Sequence, residues 1–421
     1  MVLATPRNPP RYYQPPFGPP QLHFGALFSG PIPCGCSLGE ACWPVYAISQ
    51  QPYLEAMRYQ HVCIESLGYS LPSEVLTSDE IERRLAPLYR RLKLPEGRLE
   101  LMSGICERRL WPIGTRPSEG SIASGRMALE AAEIDPQQIG CLIHGSVSRD
   151  QLEPATACRV HHELDLPAEC QVYDVSNACL GMLNGIVQVA NLIELGQIRA
   201  GLVVGSEDSR PLLEGTIAVL NSDESLTRAS VKPAFASLTI GSASAAVLLV
   251  HASQSRTGNR LACAAARAHT EYHGLCAGDH SAAAQMLMQT DSERLLEQGL
   301  ATGRATFVDF LAESGLAHDQ IDKTICHQVG STHQRLMLES LGLALENDYA
   351  TYPWLGNTGS VALPITLALA IENGFIGEQQ QVALLGIGSG INSLMIGVEW
   401  RGAGLRPALN ESPATTQLIG S

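Results

Sequence analysis

Residues 177–198 read NACLGMLNGIVQVANLIELGQI, and residues 355–376 read LGNTGSVALPITLALAIENGFI. Each is a helix-like stretch entered after a strand-like one, with Cys179 and Asn357 at equivalent places. Two more pairs keep the same order. DPQQIGCLIHGSVS (135–148) parallels HDQIDKTICHQVGS (318–331), and RAGLVVGSE (199–207) parallels QVALLGIGSG (381–390). All three spacings are about 180 residues. Three ordered correspondences imply a duplicated unit, and so long a period means two stacked halves rather than a solenoid.

The runs CLIHGSV, AGLVVGSE, AAVLLVHA, KTICHQVG and VALLGIGSG lack polar alternation and end near Gly or Ser. Buried strands of α/β proteins read this way. SEGSIASGRMALEAAEI and DSERLLEQGLATGRATFVDFLAESGL are helical, each expected to start from a Ser or Asp cap. The fold class is therefore α/β. Residues 57–255 form a first half carrying Cys179, and 256–401 form a second. Residues 1–56 are Pro-rich and read as a disordered extension, and 402–421 read as a loose tail. Met57 stands either as the true start or as the end of an unstructured tail; MRYQHVCIESLGYSLP after it predicts the first strand.

The 421-residue chain is 45% apolar with a net charge of −14, which is ill suited to nucleic acid. It has no run of about 18 apolar residues to span a membrane and no secretory pattern at its start. Its twelve cysteines are scattered singly apart from Cys34 and Cys36, which predicts a reduced cytoplasmic protein without a metal site. His161 and His162 are adjacent on a predicted helix and point apart, so they do not form a two-point ligand. His144 ends a strand and is expected to pack in or near the core. The basic run Arg83–Arg98 is either a solvated helix face or a surface for phosphates or an acidic carrier.

A twofold arrangement of the halves would bring strand ends together, and with them Cys179, His327 and Asn357. A thiol at a helix start is expected to titrate below about 8.5. A histidine can take its proton, and an amide with an imidazole N–H can hold an enolate or tetrahedral oxyanion. GIGSGIN (386–392) supplies backbone N–H groups for an oxyanion hole at the acyl-cysteine.

NACLG, HQ and GNTGS in this order resemble the β-ketoacyl-acyl-carrier-protein synthase III branch of the thiolase superfamily, over about residues 57–400. The resemblance implies a five-layered αβαβα fold and a homodimer. It implies Cys179 as nucleophile with His327 and Asn357, and oxyanion N–H groups from Cys179 and Ser389. It calls for no cofactor beyond the thioester substrates, acyl-CoA and possibly an acyl-carrier protein. Ser389 stands where degradative thiolases carry a second cysteine, which disfavours that class.

GICERRLW (104–111) and SVSRDQLEPATA (146–157) are more similar to condensing enzymes of olefin biosynthesis, which join two acyl-CoA chains head to head. That resemblance implies Glu153 as a base reaching the active site across the dimer. Deprotonating an ordinary acyl thioester needs a base, whereas decarboxylating a malonyl thioester does not. Two alternatives stay open: decarboxylative condensation with malonyl-ACP, and a non-catalytic partner subunit. A dinucleotide site at GIGSG fails on spacing, and a papain-like protease fails on the duplication.

Overall fold

The computed structural model describes residues 57–280 and 286–402. The readings of 1–56, with Cys34 and Cys36, and of the tail beyond Gly402 lie outside those described residues.

Each of the quoted apolar runs contains a strand. In chain order the main strands are β1 (Val62–Ser70), β2 (Cys141–His144), β3 (Gln171–Asp174), β4 (Ala200–Glu207), β5 (Ala243–His251), β6 (Arg260–Ala268), β7 (Lys323–Cys326), β8 (Gln380–Gly388) and β9 (Asn392–Trp400). The helices that position the site are α1 (Pro117–Ala132), α2 (Thr156–Glu163), α3 (Gly181–Glu194), α4 (Ser292–Ser314), α5 (Ser331–Leu341) and α6 (Ala362–Glu372).

Hydrogen bonding runs in the order β7-β8-β9-β6-β1-β5-β4-β2-β3. Outward from the middle, β1/β5 and β5/β4 are antiparallel and β4/β2 parallel. The other side repeats this: β6/β9 and β9/β8 antiparallel, β8/β7 parallel. The duplication read from sequence is thus a repeated pairing pattern. The halves join where β1 and β6 share one register pair, Cys63 with Arg260.

Side chains alternate across each strand, so every sheet half serves two cores. Val203 of β4 and Leu384 of β8 face a central core with Leu183 and Ile186 of α3 and Leu363 and Leu367 of α6. Leu202 and Val204 turn outward onto Leu129 of α1 and Val160 of α2. Leu385 turns outward onto Phe310 of α4 and Met337 of α5. The result is five layers: α1/α2, sheet, α3/α6, sheet, α4/α5. A helix between two sheets must be largely apolar, which explains the sequence of α6 and of α3, whose Asn184, Gln188 and Asn191 keep to one side. Burying each Leu or Ile there contributes roughly 2 kcal/mol.

The start of α3 sits directly on the end of β2. A methyl group built on Gly145 would lie 2.7 Å from the Gly181 carbonyl oxygen, and one on Gly181 would lie 2.8 Å from that of Gly145. Only glycine permits this approach, and it fixes where the residues just before Gly181 emerge.

The structure corrects several local expectations. Helix α1 has Arg116 at its N-cap with no side-chain cap bond. Asp150, from a distant loop, accepts from the Ser118 N–H at 2.9 Å instead. Helix α4 does start from Asp291, whose side chain accepts from the Arg294 N–H. Asn357 follows no sheet strand; it makes an isolated bridge to Ile240 and precedes α6 by five residues. The Arg83–Arg98 run is three short helical pieces rather than one face. Its arginines engage Glu80, Glu214, the Leu220 and Asp223 carbonyls, and the Phe235 ring. His144 is fully buried at the end of β2, and His161 lies on α2 with Nε2 3.0 Å from the Pro167 carbonyl oxygen. No described helix is long and apolar enough to cross a membrane.

Candidate active site

Chain direction reverses sharply between β3 and α3. Ala178 holds a left-handed φ of +45°, a conformation that costs a non-glycine residue about 1 kcal/mol and marks functional turns. Cys179 follows at once, half-buried. The turn is pinned from the second half. Asn392 Nδ2 donates to Asn177 Oδ1 at 3.1 Å and to the Ser389 carbonyl at 3.3 Å. Asn177 Nδ2 in turn donates to Asn184 Oδ1, one helical turn into α3, at 2.8 Å.

This amide chain draws the turn between β8 and β9 over the cysteine. A methyl group on Gly388 would lie 3.4 Å from the Cys179 amide nitrogen and 3.6 Å from its Cβ. β8 therefore ends beside the cysteine's own N–H, with Ser389 next in the chain.

His327 follows β7 directly, at the place Gly145 occupies after β2. Its N–H donates to the Leu385 carbonyl of β8 at 3.2 Å. It is buried, and its Nδ1 has no hydrogen-bond partner. Cys179 and His327 therefore flank the same end of β8. Asn357 is held by two backbone bonds, its N–H to the Thr239 carbonyl and its carbonyl from the Gly241 N–H, both 2.9 Å. Its Oδ1 accepts from the Gly359 N–H at 3.0 Å, and its side-chain NH2 has no acceptor among the described residues and is available as a donor.

Glu207 was not singled out from sequence, although it ends the quoted run RAGLVVGSE. It is a buried carboxylate at the end of β4 that accepts from Val147 and Ser148 on one side and Ser360 on the other. His333 of α5 was also missed, and its charge would disfavour a charged His327. Asn177, Asn184 and Asn392 gave one signal, the seven-residue spacing of the first two.

The electrostatics reverse the expectation for the thiol. Burial, reinforced by the charge of Glu207, pushes Cys179 up to about 12. A helix start favours a thiolate, but burial opposes any charge more strongly here. Burial likewise pushes His327 down to about 3, with His333 adding to the fall. At rest the Cys179 thiol and the His327 imidazole are therefore each neutral.

Glu153 is exposed, and among the described residues it makes no hydrogen bond or ion pair. Its loop is anchored behind it. Ser148 is held by Glu207, and Asp150 takes the Ser118 Oγ–H at 2.6 Å. Leu152 beside it is 93% exposed. The loop thus holds its root firmly and projects its tip outward.

The buried bases make stability fall in acid. His333 and His144 are each pushed down to about 4 by burial, like His327 at about 3, whereas unfolded histidine titrates near about 6.5. Below about pH 6.5 the unfolded chain binds more protons, so stability drops as pH falls toward about 4. Asp348, pushed up to about 6 by burial, works the other way, its contribution lost as pH rises to about 6. Between pH 7 and pH 5 the histidines remove at most about 6 kcal/mol and Asp348 returns about 1. Urea unfolding should show a clear loss at pH 5 relative to pH 7; equal stabilities would contradict the neutral, buried state of these rings.

Comparisons with known proteins agree with this architecture. Residues 120–214 match the thiolase N-terminal domain, and residues 311–400 match the C-terminal part of 3-oxoacyl-[acyl-carrier-protein] synthase III. An acyl-CoA:acyl-CoA alkyltransferase of Shewanella oneidensis is 40% identical, covering 82% of this chain and 100% of its own. The Xanthomonas campestris enzyme of that name is 34% identical at the same coverage. A crystal structure of the X. campestris protein, called OleA, superposes with a TM-score of 0.78 at 34% identity, over 82% of this chain and 98% of that one. Another, with bound lauric acid and lauroyl-CoA, gives 0.77 at 34% identity, over 81% and 100%. Both are cysteine variants, and further structures carry glutamate or histidine substitutions. The chain belongs to the acyl-CoA:acyl-CoA alkyltransferase family, within the thiolase superfamily.

Proposed function

We propose that the protein condenses two acyl-CoA molecules head to head, without decarboxylation, to a β-ketoacyl thioester. The observation that carries this is full-length likeness to enzymes named for that reaction, one of them solved with lauroyl-CoA. The site geometry supplies the parts.

In the first step the Cys179 sulfur attacks the thioester carbonyl while His327 takes the thiol proton. CoA leaves as the thiol on regaining it, and Cys179 holds the acyl group. A neutral imidazole and a neutral thiol suit this, because proton and new bond move together and no ion precedes the substrate. In the second step another acyl-CoA enters, and Glu153 of the partner subunit removes its α-proton. His327 and the Asn357 NH2 hold the enolate oxygen. The carbanion attacks the acyl-cysteine; the oxyanion rests on the N–H groups of Cys179 and Ser389, and collapse expels the Cys179 sulfur. The sulfur takes up one proton as Glu153 gives up the one it removed, restoring the neutral thiol and the carboxylate.

The protein works as a homodimer in the cytoplasm, within lipid biosynthesis. The outward projection of Glu153 supports the dimer, and the nine free cysteines of the described chain suit a reducing compartment. Acyl-carrier protein is not needed for this chemistry.

The test is product analysis with lauroyl-CoA as the sole substrate. The expected result is free CoA and a β-keto product or the ketone left when its acid loses CO₂. Product that forms only after malonyl-ACP is added would return the enzyme to decarboxylative condensation and overturn the proposal.

A further inference from the structure

We propose that Glu207 is a positioning residue: its single buried carboxylate ties the loop carrying Asn357, which serves this chain's own site, to the loop leading to Glu153, which serves the partner subunit's site. The inference deepens the proposed function and rests on it for the roles of Glu153 and Asn357.

The geometry is specific. Glu207 Oε2 accepts from the Ser148 N–H at 3.1 Å and its Oγ–H at 2.9 Å. Oε1 accepts from the Val147 N–H at 3.1 Å and from the Ser360 Oγ–H at 2.5 Å. Ser148 passes the constraint on, accepting from the Asp208 N–H at 2.9 Å. Ser148 lies five residues before Glu153, and Ser360 three after Asn357. Two loops about 200 residues apart in the chain therefore share one carboxylate.

That carboxylate has no cationic partner among the described residues. Such a group is held by donors alone, and a neutral amide could not accept from all of them. Among the described residues, the ionisable groups within electrostatic reach of the thiol are Glu207 from β4 and Cys276 from the hairpin strand Cys276–His280. His327, after β7, is neutral there. A thiol kept protonated resists oxidation and alkylation between turnovers, since the thiolate is the reactive form.

The test is Glu207→Gln, which keeps the side chain's size but removes the charge and one acceptor. Iodoacetamide labelling of Cys179, followed by peptide mass spectrometry across pH, needs no substrate. The labelling curve should move to lower pH. Lauroyl-CoA kinetics should show kcat falling roughly 100-fold, as for a displaced catalytic group, with KM changed less than about threefold. Unchanged kcat, or a KM that rises as much as kcat falls, would overturn the proposal, the latter leaving only a structural role; an unmoved labelling curve would overturn any effect of the carboxylate's charge on the thiol. Should Glu207→Gln not fold, Ser360→Ala cuts the Asn357 side alone. It should slow condensation about tenfold while the rate of Cys179 acylation stays within twofold; equal slowing of both steps, or of neither, would overturn it. Because labelling and acylation are read without the final product, their outcome stands apart from whether the product is head-to-head.

Discussion

A Cys179→Ala variant given a long-chain acyl-CoA is expected to keep its polypeptide mass, while the parent gains one acyl group. Turnover should fall at least a thousandfold, about 4 kcal/mol of transition-state stabilisation. The effect is large because the covalent intermediate disappears; the imidazole, the Asn357 amide and the backbone N–H groups cannot act on an acyl group that is never transferred. The fold should survive, since the change deletes one half-buried sulfur and leaves the Asn177–Asn392 tie in place. A melting temperature within a few degrees of the parent would separate lost chemistry from lost structure. Cys276 is the informative rival, because it lies within electrostatic reach of the Cys179 thiol. An acyl adduct that persists in Cys179→Ala and maps to Cys276 would move the nucleophile. Loss of the adduct together with loss of turnover keeps it at Cys179.

Much of this was legible because the duplication is written in three places and because the nucleophile sits in a short local motif. Apolar runs in a doubly covered sheet have one solution, so β2, β4, β5, β7 and β8 read directly. β6, RLACAAARA, did not: alanine has little strand preference of its own, and only pairing to β9 makes it a strand. The thiol's charge state was read with the wrong sign for a related reason. The helix start beside Cys179 is visible in the local sequence, whereas burial and the charge of Glu207 come from residues brought near by folding. The cap of α1 shows the same pattern, since Asp150 reaches Ser118 from 32 residues away. Glu207 itself looked like the polar end of a strand; only the bonds to Ser148 and Ser360 give it a further meaning.

Glu153→Ala should separate the two half-reactions. Acylation of Cys179 needs no base at the α-carbon, so the variant should still take up one acyl group from acyl-CoA at the parent's rate. Condensation does need that base, and losing a general base costs about 10²–10⁴-fold. The acyl-enzyme should then accumulate or drain slowly to water, releasing free fatty acid in place of the β-keto product. The position of Glu153 argues that it serves the other subunit: its tip residues are exposed, and the bonds behind it at Ser148 and Asp150 hold the loop root to its own chain. Mixing Glu153→Ala with Cys179→Ala tests this directly. If the base acts across the dimer, each mixed dimer contains one complete site, made of an intact Cys179 and the partner subunit's Glu153. Random exchange of equal amounts puts half the subunit pairs in mixed dimers with one working site of two, so roughly a quarter of parental turnover should return. If base and nucleophile belong to the same chain, no combination restores a site and the mixture stays as inactive as its parts. Recovery must also require subunit exchange, so that mixing under conditions where dimers do not dissociate gives none.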